Sequence, residues 1–156
     1  MPIYVVRHAH AGHRRDWDGP SDTERPLSDK GWKQAAKIAT RLGDVGVSEI
    51  WSSPYTRCVE SVEPLAERCD LPVRRTDALA EGATLADTVE LVEKLSADDT
   101  TAVLCSHGDV IPDLLAALAR RGAHLDPKGA CLKGSIWVLH VEGGSVNRAD
   151  YEGMPD

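Results

Sequence analysis

Positive charge is scarce in this chain. Eighteen Lys and Arg face 25 Asp and Glu over 156 residues, a formal net charge of −7, with a pI near 5.3. So acidic a balance argues against a nucleic-acid or membrane-surface protein, while leaving room for a locally basic pocket. Cysteine is also sparse. Cys58, Cys69, Cys105 and Cys131 form no C-x-x-C pair, so they read as reduced, mostly buried thiols of a cytoplasmic protein. No apolar run is long enough to cross a bilayer. The opening Met1-Pro2-Ile3-Tyr4-Val5-Val6-Arg7 lacks a basic leader and predicts a strand, not a signal peptide. There is no internal repeat and no low-complexity tract. Lys133-Gly134-Ser135 has its Lys before its Gly and is not a nucleotide-binding P-loop. The length excludes a TIM barrel, which needs about 250 residues, and suits one domain over residues 1–156.

What is present alternates strand, loop and helix. Residues 3–7 predict a buried strand, and residues 8–27 a long polar loop containing Trp17, which is expected to plug the core. Ser28 is a plausible N-cap. Trp32, Ala35, Ala36, Ala39 and Leu42 follow on one helical face, and Gly43 closes the helix. Residues 49–52 read as a strand. Ser53-Pro54 then predicts a helix start with Ser as cap and Pro at the first helical position, its stripe running from Tyr55 and Cys58 to Cys69. Further strands are expected at 71–75, 101–105 and 134–141, and helices at 85–95 and 110–121. The tail beyond Gly143 either adds an edge strand or frays. Alternation of this kind predicts an α/β fold, a three-layer α/β/α sandwich around a central, mostly parallel sheet.

In such sheets ligands bind beyond the carboxyl ends of the strands. Arg7, His8, His10 and His13 follow the first strand. Ser52, Ser53 and, one turn on, Arg57 follow the second. Ser106, His107 and Gly108 follow the strand at 101–105. Two guanidinium forks match phosphate oxygens in pairs. A neutral histidine can attack phosphorus, and a second can donate hydrogen bonds as charge builds on the phosphoryl oxygens. The set points to phosphoryl transfer through a phosphohistidine, with neither metal nor cofactor. His10 and His13 read as decoration of the loop.

Four blocks carry a family resemblance. Val6-Arg7-His8-Ala9-His10-Ala11 resembles the Arg-His-Gly signature of the histidine phosphatase (phosphoglycerate mutase-like) superfamily, with Ala9 in place of the usual Gly. Arg25-Pro26-Leu27-Ser28 with Gly31 and Gln34-Ala35, then Ser52-Ser53-Pro54-Tyr55-Thr56-Arg57-Cys58, then Ser106-His107-Gly108 resemble its companion blocks, in order. The compact outline is similar to the SixA-like branch. The resemblance implies that His8 is the nucleophile, that Arg7, Arg57 and His107 complete the phosphate pocket, that Glu81 protonates the leaving group, and that Arg14 adds a phosphate contact. It also implies a phosphorylated substrate: a protein phosphohistidine, a nucleotide or a small phosphoester.

Three rivals compete with a phosphatase. His8-x-His10 resembles the opening of some metal hydrolases, but His107, His124 and His140 are a thin supply of further ligands. A non-catalytic phosphate-binding module has no need to keep both His8 and His107. A phosphomutase needs insertions that close over the site, and the connections after residue 58 are short.

Overall fold

The computed structural model describes residues 1–156. Its order is β1 (Ile3–Arg7), α1 (Asp29–Leu42), β2 (Glu49–Ser52), α2 (Thr56–Cys69), β3 (Val73–Arg75), α3 (Leu85–Ala97), β4 (Ala102–Ser106), α4 (Val110–Arg120), β5 (His124–Leu125), β6 (Ile136–Glu142) and β7 (Ser145–Gly153). One seven-stranded sheet runs β3-β2-β4-β1-β6-β7-β5. Its β3-β2-β4-β1 half is parallel, β6 is antiparallel to β1 and to β7, and β5 is parallel to β7.

Period-2 alternation divides the core between the two faces of the sheet. Ile3, Val5, Leu104 and Leu139 point to one side, where α3 and α4 cover them with Val92, Leu95, Ile111 and Leu114. Tyr4, Val6, Val103 and Cys105 point to the other, under Ile38 and Leu42 of α1 and Val62 and Leu65 of α2. This is the three-layer sandwich the sequence predicts.

Several local expectations need correction. Trp32 and Ala36 are exposed, because the buried stripe of α1 is Gly31, Ala35, Ile38, Ala39 and Leu42, anchored by Ser28 Oγ accepting from Gly31 N. Gly31 is required there, since a Cβ would stand 2.0 Å from the His10 carbonyl oxygen. Helix α2 starts at Thr56, later than expected: Tyr55 keeps an extended backbone, and Ser53 Oγ accepts from Tyr55 N–H and meets His107 Nε2. The tail does not fray. Gly143 (φ +62°) and Gly144 (φ +81°) form a tight turn that sends β7 back along β6. Trp17 does not enter the core. It stays half-buried, with Nε1–H donating to the Ser21 carbonyl at 2.8 Å.

Leu104 is fully buried on central β4. Leu104→Ala is expected to cost about 2–5 kcal/mol, read as a lower urea midpoint in equilibrium unfolding with an unchanged m-value.

Candidate active site

Strand register assembles the site. Arg7 is level with Ser106, and Ser52 with Cys105, so β1, β2 and β4 end together. The chain is held to that edge just beyond them: His8 N–H donates to the Ser106 carbonyl and Ser53 N–H to the Cys105 carbonyl, both at 3.0 Å. Ala9 keeps a negative φ and is fully buried, its N–H donating to Ser61 Oγ at 2.8 Å, so the alanine fits where the resemblance has glycine.

His8 is buried, and its Nδ1 lies 2.8 Å from the Ala9 carbonyl oxygen. A carbonyl only accepts, so Nδ1 carries the hydrogen and Nε2 keeps its lone pair. Burial pushes the His8 pKa down to about 3, aided by His107, Arg57 and Arg7 and opposed by the Ala9 carbonyl. His107 is 5.4 Å away between ring centroids, edge to face. Its Nε2 meets Ser53 Oγ at 2.9 Å, which turns Nδ1 toward the cavity. Tyr55 packs against the His107 ring, and the Arg57 guanidinium lies 4.9 Å over the Tyr55 ring.

Arg57 is 1% exposed, the largest fully buried side chain of the protein. It donates to the Asp22 carbonyl at 2.9 Å and to Glu81 at 2.8 Å. Arg7 donates to the Cys131 carbonyl at 2.7 Å and passes close to Gly108, where a Cβ would stand 2.7 Å from its guanidinium carbon. Four buried side-chain nitrogens are left without a protein partner: Arg7 Nε, Arg57 Nε, His107 Nδ1 and, away from the site, Trp51 Nε1. Unpaired buried polar atoms are costly, and three of the four belong to residues lining one cavity of about 430 Å³ that has no apolar residue in its lining. Five Arg and Lys line it against the carboxylates of Glu81 and Asp109, so it is built for an anion.

Glu81 lies inside this cavity. Its carboxylate bridges Arg57 at 2.8 Å and Arg14 at 2.7 Å, and stands 3.8 Å from His107 Nδ1. The structure therefore brings together all six of His8, Arg7, Arg57, His107, Glu81 and Arg14, with Arg14 at the exposed rim. His13 also reaches the rim, exposed on the loop. His10 turns away, its Nδ1 2.6 Å from Ser28 Oγ. His8 and His10 thus point apart, and no three His, Cys, Asp or Glu side chains come together in a metal-holding group.

Sequence reasoning missed three contributors. Asp22 pairs with Arg25 at 2.9 Å, Arg57 at 3.3 Å and Arg14 at 3.4 Å, and these arginines hold its carboxyl below the usual range against the opposing effect of its burial. Arg25 braces the loop by donating to the Ala11 carbonyl at 2.6 Å. Lys133 lines the cavity, and burial, then Arg7 and Arg25, lower its pKa. Only Arg25, inside a quoted block, carried any sequence signal.

The model of the histidine phosphatase superfamily (branch 1) matches residues 3–86, and the chain belongs to that superfamily. It is 32% identical over 157 residues to the 8-oxo-(d)GTP phosphatase of Mycolicibacterium smegmatis, an alignment covering 99% of this chain and 48% of that protein. It is 32% identical over 69 residues to a probable phosphoglycerate mutase of Shigella dysenteriae, covering 44% of this chain and 32% of the other. The chain spans less than half the length of these relatives. Among solved structures, the protein histidine phosphatase SixA with tungstate superposes with a TM-score of 0.77 at 20% identity, over 99% of this chain and 97% of that one. A mycobacterial glucosyl-3-phosphoglycerate phosphatase superposes with a TM-score of 0.70 at 19% identity, over 99% and 98%. The fold is the phosphoglycerate mutase-like α/β fold.

The neutral state of His8 has a consequence for stability. In the unfolded chain the ring takes a proton near its ordinary 6.5, whereas in the folded protein it does so only near 3. Stability is therefore expected to fall as pH drops through that window, by up to ~1.4 kcal/mol per pH unit. Urea midpoints of wild type and His8→Gln between pH 7 and 4 check this. The wild type should lose more, and parallel curves would contradict a buried neutral imidazole.

Proposed function

We propose that residues 1–156 act as one domain, a cytoplasmic, metal-independent phosphatase working through a phosphohistidine on His8. The observation that carries this reading is the unprotonated His8 Nε2 beside three buried, unbonded donors on Arg7, Arg57 and His107. Those donors take the phosphoryl oxygens and gain strength as charge builds in the transition state. His8 Nε2 forms a bond to phosphorus while the bond to the leaving oxygen breaks and its electron pair departs with that oxygen.

Glu81 supplies the leaving oxygen's proton. In the resting protein its carboxylate occupies Arg57 and Arg14. An incoming phosphoryl group competes for Arg57 and frees the Glu81 carboxyl group to face the leaving oxygen. In the second half, water attacks phospho-His8. Glu81 receives the water's proton, the phosphorus–nitrogen bond breaks, and orthophosphate leaves. The open cavity admits that water, which favours hydrolysis over a mutase reaction. The retained nucleophile favours an enzyme over a passive phosphate-binding module.

Among a protein phosphohistidine, a nucleotide and a small phosphoester, the nucleotide has the better support. The relative that aligns with 99% of the chain is an 8-oxo-(d)GTP phosphatase. The cavity also holds more positive charge than one phosphoryl group requires.

Phosphate release in excess EDTA tests the reading. The wild type should turn over unimpaired, and His8→Ala should fall to background. Arg57→Ala should lose about 10²–10³-fold in kcat/KM. Substantial turnover by His8→Ala would sink the covalent route, and loss of wild-type activity in EDTA would sink metal independence.

A further inference from the structure

The cavity extends beyond the seat of one phosphoryl group. Lys133 lines it without a carboxylate partner, and the charges it feels from Arg7, Arg25, Arg57 and Lys30 are all of its own sign. A cation in that setting is matched only by an anion from outside the chain. Next to it, Gly12, His13 and Arg25 line both this cavity and a second cleft of about 310 Å³. That cleft is walled by Trp17, Pro26 and Leu27.

Trp17 is fixed in place there. Its Nε1–H donates to the Ser21 carbonyl at 2.8 Å, and the indole lies against Gly19, where a Cβ would stand 1.9 Å from Cζ2. A pre-oriented, half-exposed indole beside a polycationic cavity is suited to stacking a flat ring. The phosphate site and the spare cation thus share one cavity, and the aromatic cleft adjoins that cavity through Gly12, His13 and Arg25.

Resting on the phosphatase reading above, we propose that the substrate is a nucleoside di- or triphosphate, whose terminal phosphoryl reaches His8, whose next phosphoryl meets Lys133, and whose base stacks in the Trp17 cleft. The bond formed is His8 Nε2 to the terminal phosphorus. The bond broken is the phosphoanhydride, and the shortened nucleotide leaves with its electron pair. Water then releases orthophosphate from His8.

The test compares kcat/KM for GDP, inorganic pyrophosphate and acetyl phosphate, which carry two phosphoryls with a base, two without, and one without. Trp17→Ala should lower the GDP-to-pyrophosphate ratio about tenfold, mainly through KM. Trp17→Phe, which keeps a ring but not the Ser21 hydrogen bond, should restore most of it. Lys133→Ala should lower the pyrophosphate-to-acetyl phosphate ratio about tenfold. Equal losses on all three substrates in Trp17→Ala would assign the indole a purely structural role and overturn the proposal. Preference for a phosphohistidine peptide over GDP would also overturn it. Wild-type hydrolysis of acetyl phosphate without hydrolysis of GDP would overturn it while the phosphatase reading stands. Failure on every substrate would take down that reading itself.

Discussion

Buried positive charge with unmet hydrogen-bonding atoms is the constraint around which this protein is organised. Arg57 is almost wholly inside, yet its Nε has no acceptor, and Arg7 Nε and His107 Nδ1 share that condition. Unmet buried donors cost free energy and persist only where the surroundings hold them. Here the holding is visible atom by atom. The Cys131 and Asp22 carbonyls each take one guanidinium nitrogen, Ser53 turns His107, and the Tyr55 ring supports both His107 and Arg57. Burial, aided by the same positive field, keeps His8 neutral. The cost of the site and the reactivity of its histidine share one physical origin.

Carboxylates make this arrangement stable in the absence of a ligand. Asp22 binds three arginines from outside the cavity, and Glu81 binds two from within. They differ in what an arriving anion can do to them. Asp22 is tied by Arg25 and by the backbone of its own turn, so it stays. Glu81 sits on a short loop, secured by its neighbour Gly82 donating to Asp109, and its partners are the very groups a phosphoryl group seeks. One acid is scaffold and the other is exchangeable.

Much of this was legible in the sequence. The layer order, the parallel half of the sheet and the convergence of Arg7, His8, Arg57 and His107 all follow from where short apolar runs end and what stands beyond them. Each miss has a local cause. Trp32 was placed inside because its spacing matched one helical face, but the face that packs is set one position away by the approach of Gly31 to His10. Ser53 reads as a helix cap because only its local partner, Tyr55 N–H, is near in sequence, while its other partner, His107, is 54 residues distant. Asp22 and Lys133 carried no pattern at all, since their significance lies in what the loops bring beside them. Helix and strand periods report neighbours along the chain, whereas a charge network reports neighbours across it.

The parallel strands that build the pocket also dictate when it can exist. Ile3 of β1 pairs with Ala102 of β4, and between them the chain must first lay down β2 and its helices. Such long-range pairings bear their loop-closure entropy before any contact rewards it, and they form late. Arg7, Arg57 and His107 come from three different strand ends, so no single early-folding segment holds the anion site. A newly made chain therefore gains its anion site only with the closing of the sheet, and no earlier intermediate can hold it.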